Sequence, residues 1–546
     1  MNGARPAAGS ESEALDLIRW FERLASARQG EQEPVWEEIA ERVLPRQQFT
    51  GQRRLANSRD LIFDSTAPLA LDRFAAAMES MLTPRGSTWH GLKPRRPELA
   101  ERPTVSRYLD QVTKTLFALR SASRANFYGN LHEHYLSLGA FGTGAVSAMD
   151  EMGRALVYRA IPLADLFIDE DASGRVDAVF RRFSLTARQA IGEYGEDAPP
   201  KCREAVDRQP DRRFAFLHCV VPNDAARPGR AGPDGMPWRA VHVSVDDRLT
   251  IRAGGFRTMP YAVSRYVTGP GELYGRSPAF QSLADIKMVN RMSRTTINQA
   301  NRATEPPLLA TDDTLPPPLM IPNAVNAGWL DRNGNPRIRP FETGARFEIA
   351  FEVLEQRRRS INDAFLVSLF QILVETPSMT ATEAMLRAQE KGALLAPTMG
   401  RQQAELVGPL IQRELDIAEA AGLLPPMPRE LVDDGGFVEV DYLSPMARMQ
   451  RNEEATGLLR TLEAAGPLAQ IDPSVLEHID AAKALRVLAR ANGVESLLRD
   501  DKEAAARIAQ RLEQQQAQQM AAAAPGVARA TRDIAEAGAV SQEARP

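Results

Sequence analysis

"YGRSPAFQSLADIKMVNR", residues 274–291, opens a helical pattern that its spacing carries to about Ala303. Ser277 can accept hydrogen bonds from the free N–H groups of a first turn. Pro278 suits the first helical position, where its fixed φ helps and its missing N–H costs nothing. The pattern stops at "ATEPPLLA" (303–310), because Pro306 and Pro307 cannot continue a helix and the residue before a proline is pushed to extended geometry. A helix over 278–303 is ~39 Å long at 1.5 Å per residue. At 100° per residue Lys287, Asn290, Arg291, Arg294, Asn298, Asn301 and Arg302 fall in one stripe, and Met288, Val289, Met292, Thr296, Ala300 and Ala303 lie opposite. A solvated face explains such a stripe as well as a binding face does.

Working outward, a second helical pattern spans 347–374 and carries Glu352, Glu355, Arg357, Arg358 and Arg359. Its end, "AFLVSLFQILV" (364–374), is interrupted by Ser368 and Gln371 and falls short of the ~20 residues of a membrane span, so it reads as packed core. Pro377 stops that helix, and "TATE" (380–383) has the capping-box form that starts another, so Pro377–Met379 reads as a loop between two rods. The third helical stretch runs towards Gly422 with kinks at Pro397 and at Gly408-Pro409. Residues 10–145 read mainly as helix. Between Phe141 and Tyr266 the texture changes to short apolar runs such as "RFAFLHCVV" and "YAVSRYV", which predict an antiparallel or mixed sheet. After Pro445 the pattern is helical again, and from about Gln514 "QQQAQQMAAAAPG" is a low-complexity tail unsuited to packing.

The 546-residue length suits roughly two to four units, since single cores rarely grow further. A net charge of -4 excludes a protein that grips nucleic acid by bulk positive charge, so any contact with DNA is local. Cys202 and Cys219 make no disulfide framework, and the first residues have no secretory pattern, which points to a reducing, cytoplasmic compartment.

Enzymatic readings fail on spacing. "GSTWHGLK" (86–93) has glycines at phosphate-loop distance, but Leu92 precedes Lys93 and Pro94 follows it. "GAFGTGAV" (139–146) leads into a strand instead of a helix and reads as a turn. His132 and His134 in "LHEHYL" are two apart, whereas zinc chemistry on a helix needs four, so they read as ordinary polar helix residues. "DEDASG" (169–174) opens like a calcium loop, yet Phe180 stands where the bidentate glutamate belongs, and a charged hairpin turn is the better reading. With six scattered histidines and no recognisable triad, neither catalysis, cofactor nor metal is expected.

Taken in order, several stretches resemble the portal, or head-to-tail connector, proteins of short-tailed bacteriophages. They are "GELYGRSPAFQSLADIKMVNR" (271–291), "ANRATEPPLL" (300–309), "TPSMTATEAMLRAQEK" (376–391) with "LVGPLIQRELDI" (406–417), and "FDSTAPLALDRFAAAMESMLTPRGSTWHGL" (63–92). The resemblance covers roughly residues 15 to 450 and implies an α+β, mostly helical portal fold with wing, stem, clip and crown regions. It assigns 1–270 to a helical layer plus β wing, 271–303 and 347–374 to two stem helices, and 304–346 to the clip. It assigns 375–380 to a tunnel loop (Thr376, Pro377, Ser378, Met379, Thr380), 381–445 to a kinked wing helix, 446–513 to a helical crown and 514–546 to the tail.

It also implies a non-enzymatic homo-oligomeric ring of about twelve copies at one capsid vertex, assembled in the host cytoplasm. Double-stranded DNA would pass through it, with terminase large subunit, tail adaptors, capsid and scaffolding proteins as partners and no membrane. A soluble helical scaffold without a pore, or a DNA-processing enzyme, are the competing classes. Within a ring, Lys287, Arg291, Arg294, Arg302, Arg357, Arg358 and Arg359 either face the channel or reach acids such as Glu352 and Glu355 on a neighbour. Subunit contact is expected for most, with one level left for phosphate, because a fully cationic channel would retard sliding.

Overall fold

The computed structural model describes residues 10–45, 49, 62–100, 102–150, 156–227, 229–230, 232–311, 317–341, 347–368, 396–436, 438–442, 455–467, 479–491, 504 and 506–516. The chain forms two compact units, 1–95 with 108–444, and 96–107 with 445–546.

The first unit begins with α1 (Ser10–Glu31), α2 (Glu33–Arg42), α3 (Thr66–Leu82), strand β1 (His90–Pro94), α4 (Pro103–Ser121, whose first residues cluster with the second unit) and α5 (Phe127–Phe141). Strands β2 (Thr143–Asp150), β3 (Leu156–Ile161), β4 (Leu166–Glu170) and β5 (Val176–Thr186) follow, then helices α6 (Ala187–Tyr194) and α7 (Pro200–Val206), then β6 (Arg213–Pro222), β7 (Trp238–Ser244), β8 (Leu249–Phe256) and β9 (Tyr261–Arg265). Next come α8 (Pro278–Gln281), α9 (Leu283–Thr304), the short strands β10 (Leu308–Ala310) and β11 (Ile338–Pro340), and α10 (Phe347–Ala364). The unit ends with α11 (Gly408–Ala420), α12 (Arg429–Asp433) and β12 (Val438–Tyr442). In the second unit α13 (Ala481–Ala491) lies between helical stretches at 455–467 and 506–516.

All described strand pairs are antiparallel, forming a five-stranded sheet in the order β4-β5-β6-β7-β8 and a three-stranded sheet β3-β2-β9. The run "RFAFLHCVV" is apolar on both faces apart from Arg213 and His218, because both faces of β6 are covered. On one face Leu17, Ile18, Phe21 and Leu24 of α1 pack on Phe167, Phe180, Leu217 and Cys219. On the other, Tyr194 and Cys202 pack on Phe214 and Phe216. The 169–174 stretch is the β4–β5 hairpin turn, with Asp171 Oδ1 accepting from the N–H groups of Ser173 (2.7 Å) and Arg175 (3.0 Å).

Several expectations change. "WHGLKP" enters a helix-rich region, but His90–Pro94 pairs with Val438–Tyr442 as a two-stranded sheet, placing a strand inside each of two stretches read as helical. The first long helix is interrupted at Ser282, whose Oγ donates to the Pro278 carbonyl (2.9 Å) and competes with the helical ladder. α10 ends at Ala364 before a turn at 365–366, the chain is helical again at 367–368, and 369–374 lie outside the described residues. Phe365 and Val367 are buried, and the turn between them holds Leu366 at φ 60°. At Gly408-Pro409 the helix widens instead of breaking. Pro409 cannot donate to the Glu405 carbonyl, and Gln403–Val407 form a π-helix in which the Gly408 N–H reaches back to Gln403. His134 is no exposed polar residue: it is 1% exposed, with Nε2 2.9 Å from Ser264 Oγ and Nδ1 unpartnered.

Candidate functional site

The α8–α9 rod is rooted in the body by the residues that begin it. Gly142, at φ 79°, accepts from the Tyr266 N–H (2.8 Å), and a Cβ on Gly275 would lie 2.1 Å from the Gly142 carbonyl oxygen. Only a glycine permits that approach. Ser277 Oγ accepts from the Phe280 N–H (2.8 Å) and donates to the Ala140 carbonyl (2.7 Å), so the predicted cap is present and also ties the rod to α5.

The segment before α3 then clamps both long helices. Asp64, its side chain 6% exposed, accepts from Arg358 Nε (3.0 Å) and Nη2 (2.7 Å) on α10 and from Ser293 Oγ (3.3 Å) on α9. Burial pushes its carboxyl up, but the hydrogen bonds from Thr66 and Arg358 outweigh that and hold it below its usual range. Asn290 Oδ1 accepts from the Phe63 N–H (2.7 Å), and the Arg294 guanidinium lies 5.4 Å from the Phe63 ring centre. Arg357 pairs with Asp285 (3.1 Å) and Lys287 with Glu38 (2.8 Å).

The cationic stripe therefore divides. Lys287, Arg294, Arg357 and Arg358 have partners within their own chain; Glu355 also serves Arg358 (2.7 Å). Arg291, Arg302 and Arg359 are exposed, with no side-chain ion pair among the described residues. Arg291 and Arg302 are eleven residues apart, about 16 Å along the axis and only ~20° apart around it. The inner face of α9 consists of Ile286, Val289 and Ser293, whereas Met288, placed inward by periodicity, is 41% exposed. Thr376, Pro377, Ser378, Met379 and Thr380 lie outside the described residues. Asp64, Phe63 and Glu38 were the residues that periodicity missed, because a helix pattern is silent about partners 227 to 294 positions away.

A second framework of buried charges holds the 396–420 helix to the sheets. Arg120 and Glu414 are both fully buried, Arg120 Nε lies 3.0 Å from each Glu414 oxygen, and Tyr158 donates to Oε1 (2.7 Å). Arg120 Nη1 is 2.6 Å from His90 Nε2, and its guanidinium lies 4.7 Å from the Trp89 ring centre. Burial, and then the Arg120 charge, push His90 down to about 2, so it is neutral. Arg265 links Glu405 of the π-helix (2.9 Å) to Glu170 (3.0 Å). Among the described residues no cluster of His, Cys, Asp and Glu could hold a metal ion, and no helix is long and apolar enough to cross a membrane.

Residues 15–498 match the family described as bacteriophage head to tail connecting protein. The "Probable portal protein" of Bordetella phage BPP-1 is 29% identical over 513 residues, covering 89% of each chain. The "Portal protein" of Salmonella phage epsilon15 is 26% identical over 502 residues, covering 89% of this chain and 88% of that one. Among solved structures, the neck of an empty gene transfer agent particle aligns over 76% of this chain and 91% of its own at 12% identity, with a TM-score of 0.38. With the match extending through nearly all of both long helices, their clamp and the surrounding sheets, the chain belongs to the bacteriophage head-to-tail connecting protein family.

Proposed function

We infer that this chain is the subunit of a portal ring of about twelve copies, set at one capsid vertex, through which double-stranded DNA is packaged and ejected. Family membership across 15–498 supports the reading, and one observation carries it to residues. The α9 rod is braced on one flank by Asp64, Phe63 and Glu38, and presents on another Arg291 and Arg302, exposed and without an ion pair among the described residues. Two cations at separate levels on a rigid rod touch phosphate without gripping it, which sliding DNA requires. In this reading α9 and α10 lie in the stem, 304–346 is the clip, and Thr376–Thr380 is the loop that meets DNA. The ring docks the terminase large subunit, which supplies the energy of translocation, and tail adaptors; it is itself no enzyme.

Electron micrographs of the purified protein test the assembly: rings with a central hole are expected, and monomers or dimers across a range of salts would refute it. Within rings, Arg291→Gln with Arg302→Gln should leave assembly intact and alter DNA passage. Deleting 376–380 should impair packaging or genome retention without loss of rings.

A further inference from the structure

Across the five-stranded sheet, one residue from each of four neighbouring strands stands in a single row. Arg181 of β5 pairs with His218 of β6, His218 with His242 of β7, and His242 with Arg252 of β8. Directly paired residues share a face of the sheet, and like charges set opposite one another cost stability. The two imidazole centres are 4.4 Å apart. Arg181 and Arg252 make no ion pair among the described residues. The Arg181 guanidinium lies 5.3 Å from the Phe183 ring centre, and that of Arg252 lies 5.8 Å from the Tyr194 ring centre. In a chain of net charge -4, this row is a basic patch with no counter-charge of its own.

The row also has donors to spare. Tyr261 of β9 places its hydroxyl 2.6 Å from His218 Nδ1, and Tyr194 of α6 places its own 3.1 Å from His242 Nδ1. A hydroxyl that donates to Nδ1 leaves the ring proton on Nε2. Neither Nε2 has a hydrogen bond among the described residues. The charged groups acting on the two rings are all basic. Burial, then His242 and Arg181, holds His218 well below its usual range; burial, then Arg252 and Arg181, lowers His242 to about 4. Arg181 therefore acts on both rings, although β5 and β7 stand two strand spacings, roughly 10 Å, apart. Arg252 is exposed, Arg181 and His242 are half-buried and His218 is 5% exposed, so the row deepens from an open rim towards His218.

We propose that this row binds a small oxyanion of the phosphate or sulfate type, with the two guanidinium groups meeting its charge and the imidazole Nε2–H groups donating to its oxygens. Such an anion supplies what the row lacks, a full negative charge on acceptor-only oxygens, and charge-assisted bonds of this kind are the strong ones. A metal cation at the same imidazoles would be repelled by both arginines. A phosphate of duplex DNA has the same chemistry as a free one, but a stiff double helix cannot bring it down to His218. The depth therefore favours a free anion. A bound anion also favours imidazolium, so binding should tighten as the pH falls. The groups facing the rings are Arg181 on β5, Arg252 on β8, Tyr194 on α6 and Tyr261 on β9; beyond them, Glu193 neighbours Tyr194 and Arg159 of β3 neighbours Tyr261.

The test is phenylglyoxal labelling of arginines in the full chain, read residue by residue by peptide mass mapping, with inorganic sulfate as the probe because its charge is the same at pH 8 and pH 6. Saturating sulfate should slow the labelling of Arg181 and Arg252 at least tenfold and leave that of Arg208, exposed after α7, unchanged. Inorganic phosphate should protect the same two residues, and a DNA duplex at equal phosphate concentration should not. The sulfate concentration that gives half protection should fall severalfold from pH 8 to pH 6, and His242→Gln should remove most of that dependence. Titration calorimetry gives a second reading: Arg181→Gln/Arg252→Gln, its fold checked by circular dichroism, should weaken sulfate binding at least tenfold. Labelling of Arg181 and Arg252 that sulfate and phosphate slow no more than that of Arg208 would overturn the site. So would protection by the duplex alone, or sulfate binding that the double arginine variant leaves intact.

Discussion

Glu414→Ala is the sharpest probe of what fixes the body from which the two long helices project. Both members of the Arg120–Glu414 pair are 0% exposed, and Tyr158 and His90 complete their hydrogen bonds. Removing the carboxylate strands the Arg120 cation among Trp89, Phe117 and Phe127, with only the neutral His90 Nε2 and the Tyr158 hydroxyl as close polar neighbours. Breaking a buried pair from one side costs about 3–5 kcal/mol, because the surviving charge has no water to return to. The double change Arg120→Met/Glu414→Leu removes both desolvation penalties and should be less harmful than either single change. Because a two-unit chain need not unfold in one step, the readout is hydrogen exchange of β1, β3 and α11 backbone amides, supported by fluorescence of the buried Trp89. The single change should accelerate exchange in all three elements by a factor of a hundred or more, and the double change should restore much of the protection. Unaltered exchange after Glu414→Ala, or a double variant worse than the sum of the singles, would refute the reasoning.

Acid should loosen the same region. Burial lowers His134 to about 3, and burial with the Arg120 charge lowers His90 to about 2, so the unfolded chain binds protons that the folded one refuses. The stability these neutral rings contribute is complete above about pH 6.5 and falls with pH, by about 2 kcal/mol each at pH 5; a denaturation midpoint that does not change between pH 7.5 and 5 would contradict this. His218, held low by burial and by His242, and His242, lowered to about 4 by burial and then by the Arg252 and Arg181 charges, work in the same direction. Gly275→Ala forces a methyl against the Gly142 carbonyl and should destabilise by about 3 kcal/mol or more, seen as a lower melting temperature. Asp64→Ala removes the carboxylate shared by α9 and α10; with Arg358 partly exposed, a loss of about 2 kcal/mol is expected, with faster exchange confined to those two helices.

What could be read from the sequence was whatever short range dictates. The Ser277-Pro278 helix start, the Asp171 turn and the β runs of 141–266 each depend on a few adjacent residues, and the structure contains all three. β1 and β12 were hidden for the opposite reason. Five residues of "HGLKP" have no strand texture, and their partner lies near Tyr442, so only tertiary pairing makes either a strand. The π-helix was half visible: Pro409 announces a disturbed helix, but whether the chain bends or widens is decided by outside partners. Here the Tyr442 hydroxyl donates to the Gln403 carbonyl (2.8 Å) and Arg265 holds Glu405, which favours the widened turn.

The basic stripe shows where periodicity stops as evidence for function. A stripe drawn at 100° per residue joins Arg291, Arg294 and Arg302, yet Arg294 stands about 60° around the helix from Arg291, whereas Arg302 stands about 20° away. That difference exceeds what a stripe of ordinary width can resolve, and it decides the role. Arg294 is exposed on the flank where Phe63 arrives, its guanidinium 5.4 Å from that ring centre. Arg291 and Arg302 point past that flank. The segment that makes the distinction, "FDST", caps nothing on α9 and shares no pattern with it; it matters because the fold brings a loop from residue 64 within 3.3 Å of Ser293. Cations on one helix face are therefore separable into structural and functional sets only once the neighbouring element is known. On the reading proposed above, the cations left to act on DNA are those whose neutralisation should leave the rod's stability unchanged.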